Sequence, residues 1–187
     1  MKKLVLIGAS TGGPSHLKTL LEDIDTNGAT IVIAQHMNQI FLPSFASQFD
    51  RDCKSSVKLI EEDCFLEDGN IYICRYNTSL DRGYSKIKAD IMEGDFPFSP
   101  NVDLLFNSSV RLARDYNMMA ILMTGIGDDG AKGLFELAKH NVNVIGQDAK
   151  SCVVFGMPKR AKELNPNLSM QSLSEIKLSL ANFLTKG

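Results

Sequence analysis

Three residues of this chain stand where a nucleophilic triad would need them. Ser10 follows the apolar run Leu4–Ile7 inside Gly8-Ala9-Ser10-Thr11-Gly12-Gly13, His36 follows Thr30–Ala34 inside Gln35-His36-Met37, and Asp129 follows Met118–Met123 inside Thr124-Gly125-Ile126-Gly127-Asp128-Asp129-Gly130. Acyl transfer by such a set needs a hydroxyl to attack, an imidazole to take its proton and a carboxylate to hold the imidazole. The segment Gly8–Gly12 also reads G-x-S-x-G, in which a sharp strand-to-helix turn exposes the serine oxygen. A helix beginning there aims free backbone N–H groups at the site, each worth roughly 2.7–4 kcal/mol to a developing oxyanion. Taken singly, each residue has a second reading: Ser10 as a phosphate-contacting turn residue, His36 as the cap of a strand, Asp129 as the N-cap of the helix after it. Taken together, at three different strand ends, they make serine-hydrolase chemistry the expectation.

The elements that must position them alternate between strand and helix. Leu4–Ile7, Thr30–Ala34 and Met118–Met123 are short apolar runs of the kind buried on both faces of a parallel sheet. Helical spacing follows the first over Pro14–Asp23, and strand, helix, strand in about 30 residues is a βαβ unit. Further helices are expected at Leu42–Phe49, Asn101–Asp115, Gly130–Lys139, Pro158–Leu164 and Ser172–Leu184. Strands are expected at Val57–Ile60, Asn70–Cys74, Ser85–Met92 and Asn143–Gly146, with Tyr76–Tyr84 as a polar loop and Ile71–Met92 as an antiparallel hairpin around it. The fold class is therefore α/β: a doubly wound, mostly parallel sheet with helices on both faces and one antiparallel hairpin, over a single domain spanning 1–187. Chemistry in such sheets gathers at the carboxyl ends of the strands, where all three candidates lie.

Composition narrows the function classes. The chain has 187 residues, 44% of them apolar, enough for one core. Twenty Lys and Arg against 22 Asp and Glu leave a net charge of -2, which supplies no drive toward nucleic acid or an anionic membrane. No run of about 18 apolar residues is present to insert in a bilayer. Cys53, Cys64, Cys74 and Cys152 lack paired spacing and read as reduced structural thiols rather than a metal site. His16 and His140 lie on expected helices and read as surface residues, and the methionines as core filler.

The separated motifs Ile7–Pro14 (IGASTGGP), Gln35–Met37 (QHM), Phe98–Val110 (FSPNVDLLFNSSV), Leu122–Leu134 (LMTGIGDDGAKGL) and Ser151–Ala161 (SCVVFGMPKRA) resemble the catalytic domain of the chemotaxis protein-glutamate methylesterases, CheB-type, over nearly the whole chain. The resemblance implies hydrolysis of glutamate γ-methyl esters on the cytoplasmic helices of methyl-accepting chemoreceptors, with release of methanol, and deamidation of particular glutamines. It implies no metal or organic cofactor, a cytoplasmic location, and Ser10, His36 and Asp129 as nucleophile, base and acid, with Asp128 in a variable position. It places Thr11 and Ile126 beside the oxyanion. Ile126 stands at the family's methionine position, and Asn70–Leu80 (NIYICRYNTSL) replaces a segment that often carries Pro-Gly and a His. An N-terminal receiver domain, usual in the family, is not expected, since Met1 stands three residues before the first strand. A monomer is the default expectation.

Two enzyme and binding rivals fail on order and spacing. An α/β-hydrolase runs Ser, Asp, His, whereas the order here is Ser, His, Asp. A dinucleotide-binding module would need G-x-G-x-x-G and an acidic residue after the second strand, where Gln35-His36 stands instead. A docking domain without turnover would have no use for the intact triad.

Overall fold

A computed structural model describes residues 1–186. Among these residues ten strands and six α-helices follow one another: β1 (Lys2–Ala9), α1 (Gly13–Leu21), β2 (Thr30–Gln35), α2 (Leu42–Asp52), β3 (Val57–Ile60), β4 (Cys64–Leu66), β5 (Ile71–Cys74), β6 (Thr78–Arg82), β7 (Ile87–Ile91), α3 (Val102–Ser109), β8 (Tyr116–Leu122), α4 (Ala131–Ala138), β9 (Asn143–Gln147), α5 (Met157–Leu164), β10 (Ser169–Gln171) and α6 (Leu173–Thr185). Seven strands form one sheet in the order β10-β9-β8-β1-β2-β5-β3, parallel throughout, and β4, β7 and β6 form a small antiparallel sheet. The expected fold class is the one observed.

Period-two alternation divides the core in two. Leu4 and Leu6 of β1 face α3, α4, α5 and the small sheet, packing with Phe106, Leu134 and Met157. Val5, Ile7 and Ala9 face α1, α2 and α6, packing with Leu17, Phe49 and Leu180. Each fully buried aliphatic side chain contributes roughly 1.5–3 kcal/mol, and β1, apolar on both faces, can occupy only the middle of the sheet. From β1 the chain builds β2, then the edge strand β3, comes back to insert β5 between them, and later crosses to build β8, β9 and β10 on the other side of β1. The reversal between β1 and β8 leaves a crevice beyond their carboxyl ends, the usual ligand position in such sheets.

Three local expectations are corrected. Ile71–Cys74 is not the first arm of a hairpin; it lies in the large sheet between β2 and β3, parallel to both, with all four residues buried. The polar stretch Tyr76–Tyr84 contains β6, which pairs with β7 and buries Thr78 and Leu80 on one face while Ser79 and Asp81 face outward. Asn101–Asp115 is α3 followed by a 3₁₀ turn at Val110–Arg114. The short strands β4 and β10 were not anticipated by any apolar pattern.

All four cysteines are unpaired. Burial pushes the Cys74 thiol up to about 12 and those of Cys53 and Cys152 up to about 11, so they remain protonated and poor nucleophiles at neutral pH. Among the described residues, no helix is long and apolar enough to cross a membrane.

Candidate active site

The sheet register brings Ser10 and His36 together. β1 and β2 pair in parallel through Ala9 and Gln35, and His36 N–H donates to Ala9 O at 2.9 Å, so the next residue of each strand lies beside the other. Neighbouring strands run about 4.8 Å apart. The buried Gln35 amide fixes the pair further, its Nε2 donating to Ser10 O at 2.9 Å and to His36 O at 3.0 Å. Immediately after Ser10 the chain turns through Gly12 at φ 84°, a left-handed conformation that favours glycine, and a Cβ there would meet Val153 at 2.5 Å. α1 starts at the next residue.

Asp129 reaches the same place from β8. Its carboxylate is 2% exposed as a residue and accepts from His36 Nε2 at 2.6 Å. Val102 N–H also donates to Oδ2, and Asp103 N–H to Oδ1, each at 2.8 Å. These two donors are first-turn amides of α3, whose remaining free donor, Leu104 N–H, is taken by the Asn101 side chain at 2.7 Å. Asp129 therefore does act at a helix N-terminus, but of α3, not of α4, whose own N-cap is Gly130 without a side-chain hydrogen bond. The helix end favours a negative charge at that spot. With Nε2 directed at Asp129, Nδ1 is the imidazole nitrogen left for a serine hydroxyl.

Ser10 and His36 are not hydrogen-bonded to each other in this structure. Ser10 is 7% exposed, and among the described residues its Oγ has no hydrogen-bond partner. Such bonds are often long in a free enzyme and tighten only with substrate. Thr11 lies on the surface, and Ile126 is 62% exposed. Among the described residues neither backbone N–H has a partner, which leaves both available as donors.

Several participants were invisible in the sequence. Phe98 stacks on the His36 ring, with centroids 5.1 Å apart and planes 4° from parallel, which fixes the imidazole plane. It belongs to a quoted motif, but nothing in its spacing marked it as a site residue. Thr124 is fully buried and holds the turn after β1: its carbonyl accepts from Ser10 N–H at 2.9 Å, and its hydroxyl donates to Thr11 O at 2.9 Å. The same hydroxyl accepts from Val153 and Val154 N–H, both at 3.0 Å, tying in the β9–α5 loop. Gly125 packs directly against Ser10, as a Cβ there would sit 2.7 Å from Ser10 Cβ. His16, expected at the surface, is half-buried because Gln147 Nε2 bonds its Nδ1 at 3.1 Å. A cleft of about 190 Å³ bordered by Phe98, Asn101, Asp129 and Arg160 adjoins this site, though neither Ser10 nor His36 lines it.

Asp103 carries a testable electrostatic consequence. Burial, opposed by the hydrogen bond from Gly133 N–H at 2.7 Å and reinforced by the nearby Asp129 charge, raises its pKa above the ordinary carboxylate value. A carboxyl raised on folding contributes stability below its unfolded pKa and loses it as pH rises through the folded one. Asp103→Asn keeps an acceptor for Gly133 and removes the charge. Relative to wild type, its melting temperature is expected to rise as pH climbs through the weakly acidic range; a constant difference across that range would contradict this account of Asp103.

Comparison with known proteins identifies the family. A family model described as CheB methylesterase matches residues 5–180. A protein-glutamate methylesterase/protein-glutamine glutaminase of Geobacter metallireducens is 39% identical over 165 residues, covering 86% of this chain and 45% of that protein. One of Chromohalobacter salexigens is 35% identical over 183 residues, covering 96% and 51%. The crystal structure of the Thermotoga maritima CheB methylesterase catalytic domain superimposes with a TM-score of 0.86 at 31% identity, covering 97% of this chain and 98% of that one. The chain thus spans about half the length of the curated relatives it matches, and nearly all of a catalytic domain. Its sequence and fold place it in the CheB methylesterase family.

Proposed function

We propose that residues 1–187 form one methylesterase catalytic domain that hydrolyses glutamate γ-methyl esters on chemoreceptors. The observation that carries this reading is the His36–Asp129 pair, anchored on the α3 N-terminus and set beside Ser10 by the β1–β2 register. In the first step His36 Nδ1 takes the Ser10 proton as Oγ attacks the ester carbonyl, forming a tetrahedral oxyanion that the Thr11 and Ile126 N–H groups receive. The carbonyl re-forms, the C–O bond to methoxide breaks, and His36 returns the proton so that methanol leaves. Water, deprotonated by His36, then attacks the acyl-serine, and Ser10 departs with the proton to free the glutamate. Asp129 remains an anion throughout and stabilises the imidazolium.

The same acyl-enzyme forms from a glutamine side chain with ammonia as leaving group, and the glutaminase half of the relatives' names supports this second activity. The partners proposed are the cytoplasmic helices of chemoreceptors, met by a monomer in the cytoplasm; four unpaired cysteines suit that reducing compartment. The assay is methanol release from methylated chemoreceptor membranes, with ammonia release from receptors bearing glutamine at the same positions. Methanol is expected; its absence with folded protein would contradict the substrate assignment.

A further inference from the structure

We propose that His16 is a positioning residue for the nucleophile, acting through Gln147 and Thr124, and that it does so as a neutral imidazole with its proton on Nε2. This rests on the assignment of Ser10 above. The observation is a ring around the nucleophile turn, made of three hydrogen bonds and closed by the chain from Ser10 to His16. Ser10 N–H donates to Thr124 O at 2.9 Å, and Thr124 N–H donates to Gln147 Oε1 at 2.8 Å. Gln147 Nε2 meets His16 Nδ1 at 3.1 Å, and His16 sits in the first turns of α1, the helix that Ser10 itself leads into. The ring thus joins the ends of β1, β8 and β9 to the start of α1.

Donor and acceptor chemistry sets the direction of every bond in it. Thr124 N–H can only donate, so the oxygen of the Gln147 amide must face it and the NH₂ group must face His16. That amide is fully buried and cannot exchange its partners for water. Its second N–H goes to Ser151 Oγ at 3.2 Å, and that hydroxyl is itself committed as a donor to Asp148 Oδ1 at 2.7 Å. One acceptor is therefore required of His16 at Nδ1. A proton there would oppose two N–H donors 3.1 Å apart, and the amide could relieve the conflict only by turning, which would set its NH₂ against Thr124 N–H. Thr124 would then lose the bond that holds its peptide, and Thr124 is what holds Ser10.

The effect expected is on the chemical step, since His16 is not among the groups placed around the ester. His16→Leu removes the acceptor and is expected to lower kcat about tenfold with KM little changed, the size of effect that a small misplacement of a reacting group produces. His16→Asn places an amide oxygen near the Nδ1 position and is expected to recover most of that loss. Nitrogen-15 NMR of histidine-labelled wild-type protein gives an independent readout, with His16 Nδ1 expected to show the shift of an unprotonated acceptor. The experiment is methanol release by wild type, Ser10→Ala, His16→Leu and His16→Asn, with the NMR spectrum of wild type. Wild-type kcat in His16→Leu, an equal loss in His16→Asn, or a proton on His16 Nδ1 would overturn the proposal. Turnover by Ser10→Ala would instead overturn the serine-hydrolase reading on which it rests, and the NMR result stands apart from either if His16→Leu fails to fold.

Discussion

Replacing Asp129 by Asn is expected to lower kcat by on the order of 10³- to 10⁴-fold, the loss that follows when a triad carboxylate becomes an amide. Asp129 accepts three hydrogen bonds, from His36 Nε2 at 2.6 Å and from Val102 and Asp103 N–H at 2.8 Å. An asparagine has one oxygen to offer where three donors converge. With its oxygen toward His36 and Val102, its NH₂ group opposes Asp103 N–H; turned the other way, the NH₂ opposes Val102 and drives the imidazole into the wrong tautomer. Neither orientation keeps the negative charge that steadies the imidazolium. The buried donor left unsatisfied also costs about 1–3 kcal/mol of stability. Steady-state kinetics beside a melting curve separate the two effects: kcat should collapse while the protein still folds. A kcat within tenfold of wild type would mean that Asp129 anchors α3 and does little for the chemistry.

Gly125→Ala is expected to damage stability and turnover together. A Cβ at this position would lie 2.3 Å from Met157 Sδ and 2.7 Å from Ser10 Cβ. The methionine sulfur ends a flexible chain and can move aside, but Ser10 is held on both sides, by Thr124 O at its N–H and by Gln35 Nε2 and Gly13 N–H at its carbonyl. Overpacking of this kind costs about 1–3 kcal/mol, and a displacement of the nucleophile by about 1 Å costs about 10²-fold in rate. With Met157→Ala added, the loss of melting temperature should be smaller than the sum of the two single losses and little of the activity should return, because Met157→Ala relieves only the sulfur contact. Recovery of both would show that the methionine, not the serine, takes the strain.

The division between what could and could not be read from the sequence follows the range of the interactions. β1, β2 and β8 declared themselves because strands buried on both faces must be continuously apolar, and their ends exposed Ser10, His36 and Asp129 as candidates. Cys64–Leu66 and Ser169–Gln171 did not, being three residues long with Leu66 the one buried residue between them. β6 hid because Leu80 is its single apolar residue and its outer face is polar. Ile71–Cys74 has the composition of a central strand, yet its sequence neighbours suggested a hairpin; only the return of the chain between β2 and β3 decides its place. Phe98, Thr124 and Gln147 were hidden for another reason. Their residue types are ordinary, and each matters through partners distant in sequence, among them His36, Ser10 and Thr124 respectively. Asp129 shows the limit from the other side, since its type and position were informative while the helix it serves, α3, begins 27 residues earlier.

Methanol release from methylated chemoreceptor membranes by Ser10→Ala beside wild type tests most directly whether Ser10 is the nucleophile for ester cleavage. Ser10→Ala removes one oxygen that has no hydrogen-bond partner among the described residues, so its melting temperature should stay close to that of wild type. Methanol is expected from wild type and none above background from the equally folded variant. Release by Ser10→Ala at a rate near that of wild type would contradict the assignment of Ser10.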